Sequence, residues 1–273
     1  IWFRWLGRLA APLFFYALAV GFQHTRNRKK YLLRLYLANV GMVFFNQIMC
    51  MLQRKLDYVA YQPKNHNIFT TLFCAGVLIC IWENRKEKKK FFTYIGIYIF
   101  WQAMVMGLAI LAEAFDYVWR GNALLQTVLR TNYIFPLLGG IWDAEGGVFF
   151  IVLGVWLYCA VENKWKLALR YILFCGAYMF MCQGDILYRI MSRFSFWGYH
   201  KLADVIYFGS SFVGIPLGTS DLSLLTEFYQ WMMIGALPIM LSCNGKRGKS
   251  LKWLFYAAYP LQFLVLYGIS YYK

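Results

Sequence analysis

The sequence predicts an all-α protein, a polytopic transmembrane helix bundle of about eight spans with a re-entrant or broken segment at 204–219. Three observations predict it. The 273 residues are 61% hydrophobic and only 15% charged, well below the roughly 25% charge of a water-soluble domain. The apolar residues are gathered into runs that cross, or nearly cross, a hydrocarbon layer about 30 Å thick. Aromatic side chains make up 21% of the chain, which suits two membrane–water interfaces where Trp and Tyr keep an apolar body in lipid and a polar tip in water.

In chain order the runs fall at 5–22, 35–51, 68–82, 91–111, 147–161, 167–181, 228–241 and 251–270, several of them near the lower limit of about 17 residues for a crossing helix. The first is flanked by Arg4 and Arg8 on one side and by His24 and a basic cluster on the other. The second follows that cluster, and the third ends at Glu83. The fourth lies between Lys88, Lys89 and Lys90 and the acidic Glu113. A short turn with Lys164 and Lys166 joins the fifth to the sixth, and Lys246, Arg247 and Lys249 lie between the seventh and the eighth. The segment 113–146 predicts an amphipathic helix around 124–133, lying in the interface. The stretch 204–219 is apolar but interrupted by Gly209, Gly214, Pro216 and Gly218. No internal repeat or Gly/Ser linker divides the chain, so 1–273 is expected to form one membrane domain.

Charge sets the orientation. Arg26, Arg28, Lys29, Lys30 and Arg34, then Arg85, Lys86, Lys88, Lys89 and Lys90, then Lys164 and Lys166, then Lys246, Arg247 and Lys249 mark one set of alternate loops as cytoplasmic. The other loops collect Asp57, Glu113, Asp116, Asp143, Glu145, Asp185, Asp204, Asp221 and Glu227. Only Glu83, Glu87 and Glu162 break the segregation. The loops 162–166 and 243–250 then lie on one side, so an even number of crossings separates them. A lone third crossing at 204–219 is excluded. A re-entrant segment fits better than a second crossing near 186–199, where Arg189, Arg193 and His200 make burial in lipid costly.

The same features exclude several classes. A net charge of +16 fits anionic lipid headgroups rather than nucleic acid, because the Lys and Arg are dispersed among short loops and form no continuous basic face. The seven cysteines lie mostly inside apolar runs without paired CxxC spacing, which points to packing and not to a metal or redox site. No Walker-type phosphate loop, GxSxG elbow or HExxH helix is present.

Residues that could carry chemistry remain few. Arg8 follows Arg4 by one helical turn at the outer end of the first span; it is either a guanidinium snorkelling to headgroups or a donor facing the bundle interior. His24, at the cytoplasmic end of the same span, could serve as a general base near neutral pH. The loops 25–34 and 244–248 could bind phosphate through Arg26, Arg28, Lys29, Lys30, Lys246 and Arg247, although basic cytoplasmic loops are ordinary topology signals. Glu113, Asp116, Asp143 and Glu145 could receive an amine, or be solvated loop acids.

Two segments resemble the TraX family of membrane proteins, named for the conjugative pilin acetylase. Gly7, Arg8, Ala10, Pro12, Phe14, Gly21, Thr25, Arg26, Asn27, Tyr31, Arg34 and Leu35 follow the pattern GRxAxPxF, a Gly, then TRNxxxYxxRL. Asn244, Gly245, Lys246, Arg247 and Gly248, with Tyr256, Tyr259, Pro260 and Leu261, resemble its NGxRG and YPL segments, and Asn67, Phe69 and Leu72 form a weaker middle match. The resemblance implies a bacterial inner-membrane acetyltransferase that uses acetyl-CoA as donor and a pilin-like peptide or envelope component as acceptor. Arg8, His24 and Gln262 would then be the catalytic candidates and the basic loops would hold the CoA phosphates. Gln262 departs from the family, which commonly has His two residues after the proline; Gln hydrogen-bonds but does not exchange a proton near neutral pH. The family's usual first helix, with an Asp-His pair, is also absent, and residue 1 is Ile. A transporter or channel built on the broken segment, and a noncatalytic assembly protein, are the readings from other classes.

Overall fold

The computed structural model describes residues 2–56, 67–120, 133–142, 144–183, 189, 193, 199–215, 229–243 and 252–271. Apolar sequence in lipid has no water to satisfy its backbone, so it must hydrogen-bond within itself, and helices result. In order these are α1 (Trp2–His24), α2 (Arg28–Leu56), α3 (Ile68–Glu83), α4 (Lys88–Arg120), α5 (Gly147–Tyr158), α6 (Lys164–Gln183), α7 (Tyr199–Val213), α8 (Ala236–Ser242) and α9 (Lys252–Tyr271). A helical turn at Phe135–Leu137 precedes α5, and a 3-10 helix, Tyr229–Gly235, runs into α8. No strand occurs among the described residues.

Four segments are long and apolar enough to cross a membrane: Arg28–Leu52, Ile68–Lys86, Lys88–Ala112 and Lys164–Cys182. Gly147–Tyr158 and Leu254–Ile269 are apolar but shorter. On α4, Phe92, Ile99, Phe100, Ile110 and Leu111 are exposed. That apolar face is far larger than water tolerates, as expected of lipid contact. The helices mark a membrane protein.

The chain divides into two compact units. The first joins Ile1–Arg28, Ala75–Asn84 and Gly146–Asn244. In it α1 packs on α5, on the 3-10 helix and on α8, while α6 packs on α5, α8 and the 3-10 helix, and α7 packs on α5. Phe150 of α5 meets Phe15 of α1 and Phe174 and Tyr178 of α6, each at 5.9 Å between ring centres. Gly154 allows the close approach: a Cβ there would sit 2.9 Å from the Ala75 Cβ and 3.1 Å from the Phe15 ring. Small residues at such crossings let helices in lipid pack tightly.

The second unit joins Lys29–Cys74, Arg85–Glu145 and Gly245–Lys273. Val105 and Ala109 of α4 pack around Phe135, Met49 of α2 packs with Tyr267 of α9, and Phe69 of α3 meets Tyr256 and Tyr259 of α9 at 5.9 and 5.6 Å.

The glycines of 204–219 act differently from expectation. Residues 204–213 continue α7 as regular helix, and the interruption comes at Gly214, where φ is +91°. The Gly214 and Ile215 amides donate to the Ser210 carbonyl at 3.0 and 2.9 Å, so Gly214 is a left-handed helix stop of the usual kind. It also touches another chain segment: a Cβ on Gly214 would lie 2.2 Å from the Gly146 carbonyl oxygen. Residues 216–219 lie outside the described residues, as does nearly all of the expected interfacial helix 124–133. The seventh expected span is not one regular α-helix either, because its first half is 3-10. There the buried Tyr171 hydroxyl donates to the Met233 carbonyl.

Candidate functional site

Two polar constellations stand out against this apolar background. The first lies in the first unit, where α1 ends. Thr25 donates its hydroxyl to the Gly21 carbonyl at 2.7 Å, closing α1, and the basic turn 26–30 begins at once. Arg28 turns back: its Nη1 donates to the Thr25 carbonyl and its Nη2 to Glu83 Oε1, both at 2.7 Å. Its guanidinium also lies 5.4 Å from the centre of the Phe22 ring. Glu83 Oε1 accepts a second hydrogen bond, from Tyr158, at 2.6 Å. Glu83, an exception to the charge segregation, is thus the counter-ion that ties the first residue of α2 to α3 and α5. Glu87, another exception, pairs on the surface with Lys90.

Arg28 is therefore engaged on both sides of its guanidinium, and the side chains of Arg26, Lys29 and Lys30 are exposed. His24, the last residue of α1, is exposed as well. Arg8 is exposed, with its guanidinium 5.7 Å from the Tyr229 ring centre. At about 1.5 Å per residue, Arg8 and His24 stand about 24 Å apart along α1, so they do not act on the same bond. Lys246 and Arg247 lie outside the described residues. Gln262 is exposed on α9.

The second constellation, in the second unit, was not anticipated. Asn39 of α2 is wholly buried. Its amide nitrogen donates to the Pro136 carbonyl at 2.6 Å, and its oxygen accepts from Asn67 and from Thr70, each at 2.7 Å. Gln102 of α4 donates to the Gly139 carbonyl at 3.1 Å and accepts from the Ile141 amide at 2.9 Å. Tyr36 donates to the Leu137 carbonyl at 2.8 Å and Trp101 to the Leu138 carbonyl at 2.9 Å. Asn39 lies about 16 Å along α2 from Arg28, and Gln102 about 21 Å along α4 from Lys88. Both depths fall inside a hydrocarbon layer of about 30 Å. The backbone at 136–141, where the short helical turn runs out into irregular chain, is accordingly satisfied by side chains, as such backbone at membrane depth must be.

Glu145 closes this constellation. Its carbonyl accepts from the Thr71 hydroxyl at 3.0 Å, and its carboxylate Oε2 accepts from the Tyr259 hydroxyl. Tyr259 is buried on α9, three residues before Gln262. The Asn67 side-chain oxygen, also buried, has no hydrogen-bond partner. Asn39 and Gln102 were detectable as polar residues inside apolar runs, which are costly in lipid and so seldom accidental. Tyr259 and Asn67 lay within the family-like segments. Nothing local in the sequence tied Glu145 to either.

Comparison with known families adds one finding: the family model described as TraX protein matches residues 1–181. Comparisons with curated proteins and with solved structures gave no match. The matched region contains the basic turn, Asn39, Asn67, Gln102 and Glu145, and ends before Tyr259 and Gln262.

Proposed function

Since the chain belongs to the TraX family, we propose that it is a multi-pass bacterial inner-membrane acetyltransferase. It moves an acetyl group from acetyl-CoA to an amine or hydroxyl of a pilin-like peptide or another envelope component. The observation that carries this reading is the coincidence of the TRN-type segment with an exposed basic turn at the end of α1. Arg26, Lys29 and Lys30 are exposed there, and ammonium and guanidinium groups are the natural ligands of CoA phosphates. The Lys246–Arg247 loop, cytoplasmic by the same charge rule, adds cations on that side of the membrane. Arg28, paired with Glu83, is less available to phosphate than its exposed neighbours.

The chemistry is attack of the acceptor on the thioester, aided by a proton acceptor and by donors near the developing oxyanion. Arg8 and Gln262 remain candidates for binding the acceptor, and His24 for the donor end. A solute pathway finds less support, because the carbonyls at 136–139 that a transported ion or solute would use are already taken by side chains.

The test is calorimetric titration of the detergent-purified protein with acetyl-CoA. Saturable binding, weakened at least tenfold in the Arg26→Gln/Lys29→Gln/Lys30→Gln variant, supports the reading. Absence of binding by well-folded protein overturns it and favours a noncatalytic assembly role.

A further inference from the structure

We propose that Glu145 is the proton acceptor of the transfer, held in place by Tyr259 and Thr71. The assignment rests on the acetyltransferase reading and goes beyond it by naming the group on which the reaction turns. Three observations point to it.

The first is fixation from two sides. The Glu145 carbonyl is held by Thr71 of α3 at 3.0 Å, and its carboxylate is held by the Tyr259 hydroxyl of α9. A carboxylate that works as a base needs such orientation, because proton transfer tolerates little misplacement. The second is depth. Thr71 lies one residue after Thr70, whose hydroxyl reaches Asn39 about 15 Å along α2 from Lys29. Glu145 therefore belongs to a polar layer within the hydrocarbon region, where an ionisable side chain is functional by default. The distance from the basic turn to this layer is comparable with the reach of an extended pantetheine arm, so phosphates held at the turn leave the thioester at the depth of Glu145.

The third is the chemistry of the lining. The Asn67 side-chain oxygen stands one helical turn before Thr71 on α3, is nine-tenths buried and has no donor. An unpaired acceptor one helical turn from the residue that holds Glu145 suits an incoming group that brings hydrogens, an amine or a hydroxyl.

In the step itself the acceptor nitrogen or oxygen attacks the thioester carbonyl carbon while Glu145 takes its proton. The new C–N or C–O bond forms, the tetrahedral intermediate collapses with loss of the C–S bond, and the CoA thiolate leaves. Glu145 returns the proton to that thiolate and is regenerated. Tyr259 is a positioning residue, since it acts through the carboxylate.

The experiment uses the full chain in proteoliposomes with acetyl-CoA as donor. Octylamine serves as a membrane-partitioning amine acceptor, with water as the acceptor when octylamine is left out. Acetyl-CoA binding is measured in parallel. Glu145→Gln should bind acetyl-CoA as the wild type does and lose about 100-fold or more in kcat. Glu145→Asp, which keeps a carboxylate, should recover part of that rate, and Tyr259→Phe should lower kcat about tenfold with KM unchanged. If wild type is active and Glu145→Gln matches it, or if Asp is no better than Gln in folded protein, the assignment fails while the acetyltransferase reading stands. If wild type transfers to neither octylamine nor water, both fail together.

Discussion

Asn39 illustrates how much a single side chain contributes when the surrounding solvent is lipid. Its amide serves three partners at once, Pro136, Asn67 and Thr70, and none of them has water as a substitute. Asn39→Leu, close in shape, leaves the Thr70 hydroxyl and the Pro136 carbonyl unpaired, each costing about 1–3 kcal/mol, and Asn67 with only its 3.4 Å bond to the residue-39 carbonyl. The expected loss is about 3 kcal/mol or more, seen as a large drop in the thermal midpoint of the detergent-solubilised protein. Glu83 makes a contrasting case, because its ion pair with Arg28 is 29% exposed on both sides and solvent screens it. Glu83→Gln should cost only about 1 kcal/mol and, by releasing Arg28, should leave acetyl-CoA affinity unchanged or tighter. A loss of affinity would show that the Arg28–Glu83 pair itself shapes the phosphate site.

Among the elements, glycines decide where helices stop and how closely they meet. Gly214 ends α7 with a positive φ and abuts the Gly146 carbonyl; even Ala there meets both backbone strain and a clash. Gly214→Ala should destabilise by about 2–4 kcal/mol, measured by thermal unfolding, whereas Gly209→Ala, with open space around its Cα, should be neutral or slightly stabilising. Gly154→Leu should separate α5 from α1 and from Ala75, with a loss of about 1–3 kcal/mol. The sequence announced the glycines but not their use. Four helix breakers in sixteen residues read as irregular chain, although Gly214 on its own is the standard signature of a helix end. Among the described residues, the backbone at membrane depth that departs from a long helix is 136–141, Pro-Leu-Leu-Gly-Gly-Ile, where a single helical turn gives way to irregular chain and no motif marks the place. Its position follows from donors on α2, α3 and α4 that are up to about a hundred residues away in sequence, and no local pattern encodes such pairings.

For the molecule as a whole, the charge pattern predicts how the helices are oriented. The basic residues gather where α1 and α3 end and where α2, α4 and α6 begin, and the exposed Cys243 follows α8 beside a further basic loop. A membrane-impermeant maleimide should therefore label Cys243 in inside-out vesicles and spare it in right-side-out ones, judged against Cys243→Ser. Equal labelling from the opposite side would reverse the orientation. The amino-acid sequence by itself determined the solvent, the helical class and the family-like segments and predicts an orientation, because composition, run length and loop charge act locally and additively. Only the tertiary structure decided which polar residues meet. Arg28 found Glu83, Tyr259 found Glu145, and Asn39 found the segment at 136–141, because a polar group away from water is stabilised by whatever partner the packing of distant helices supplies.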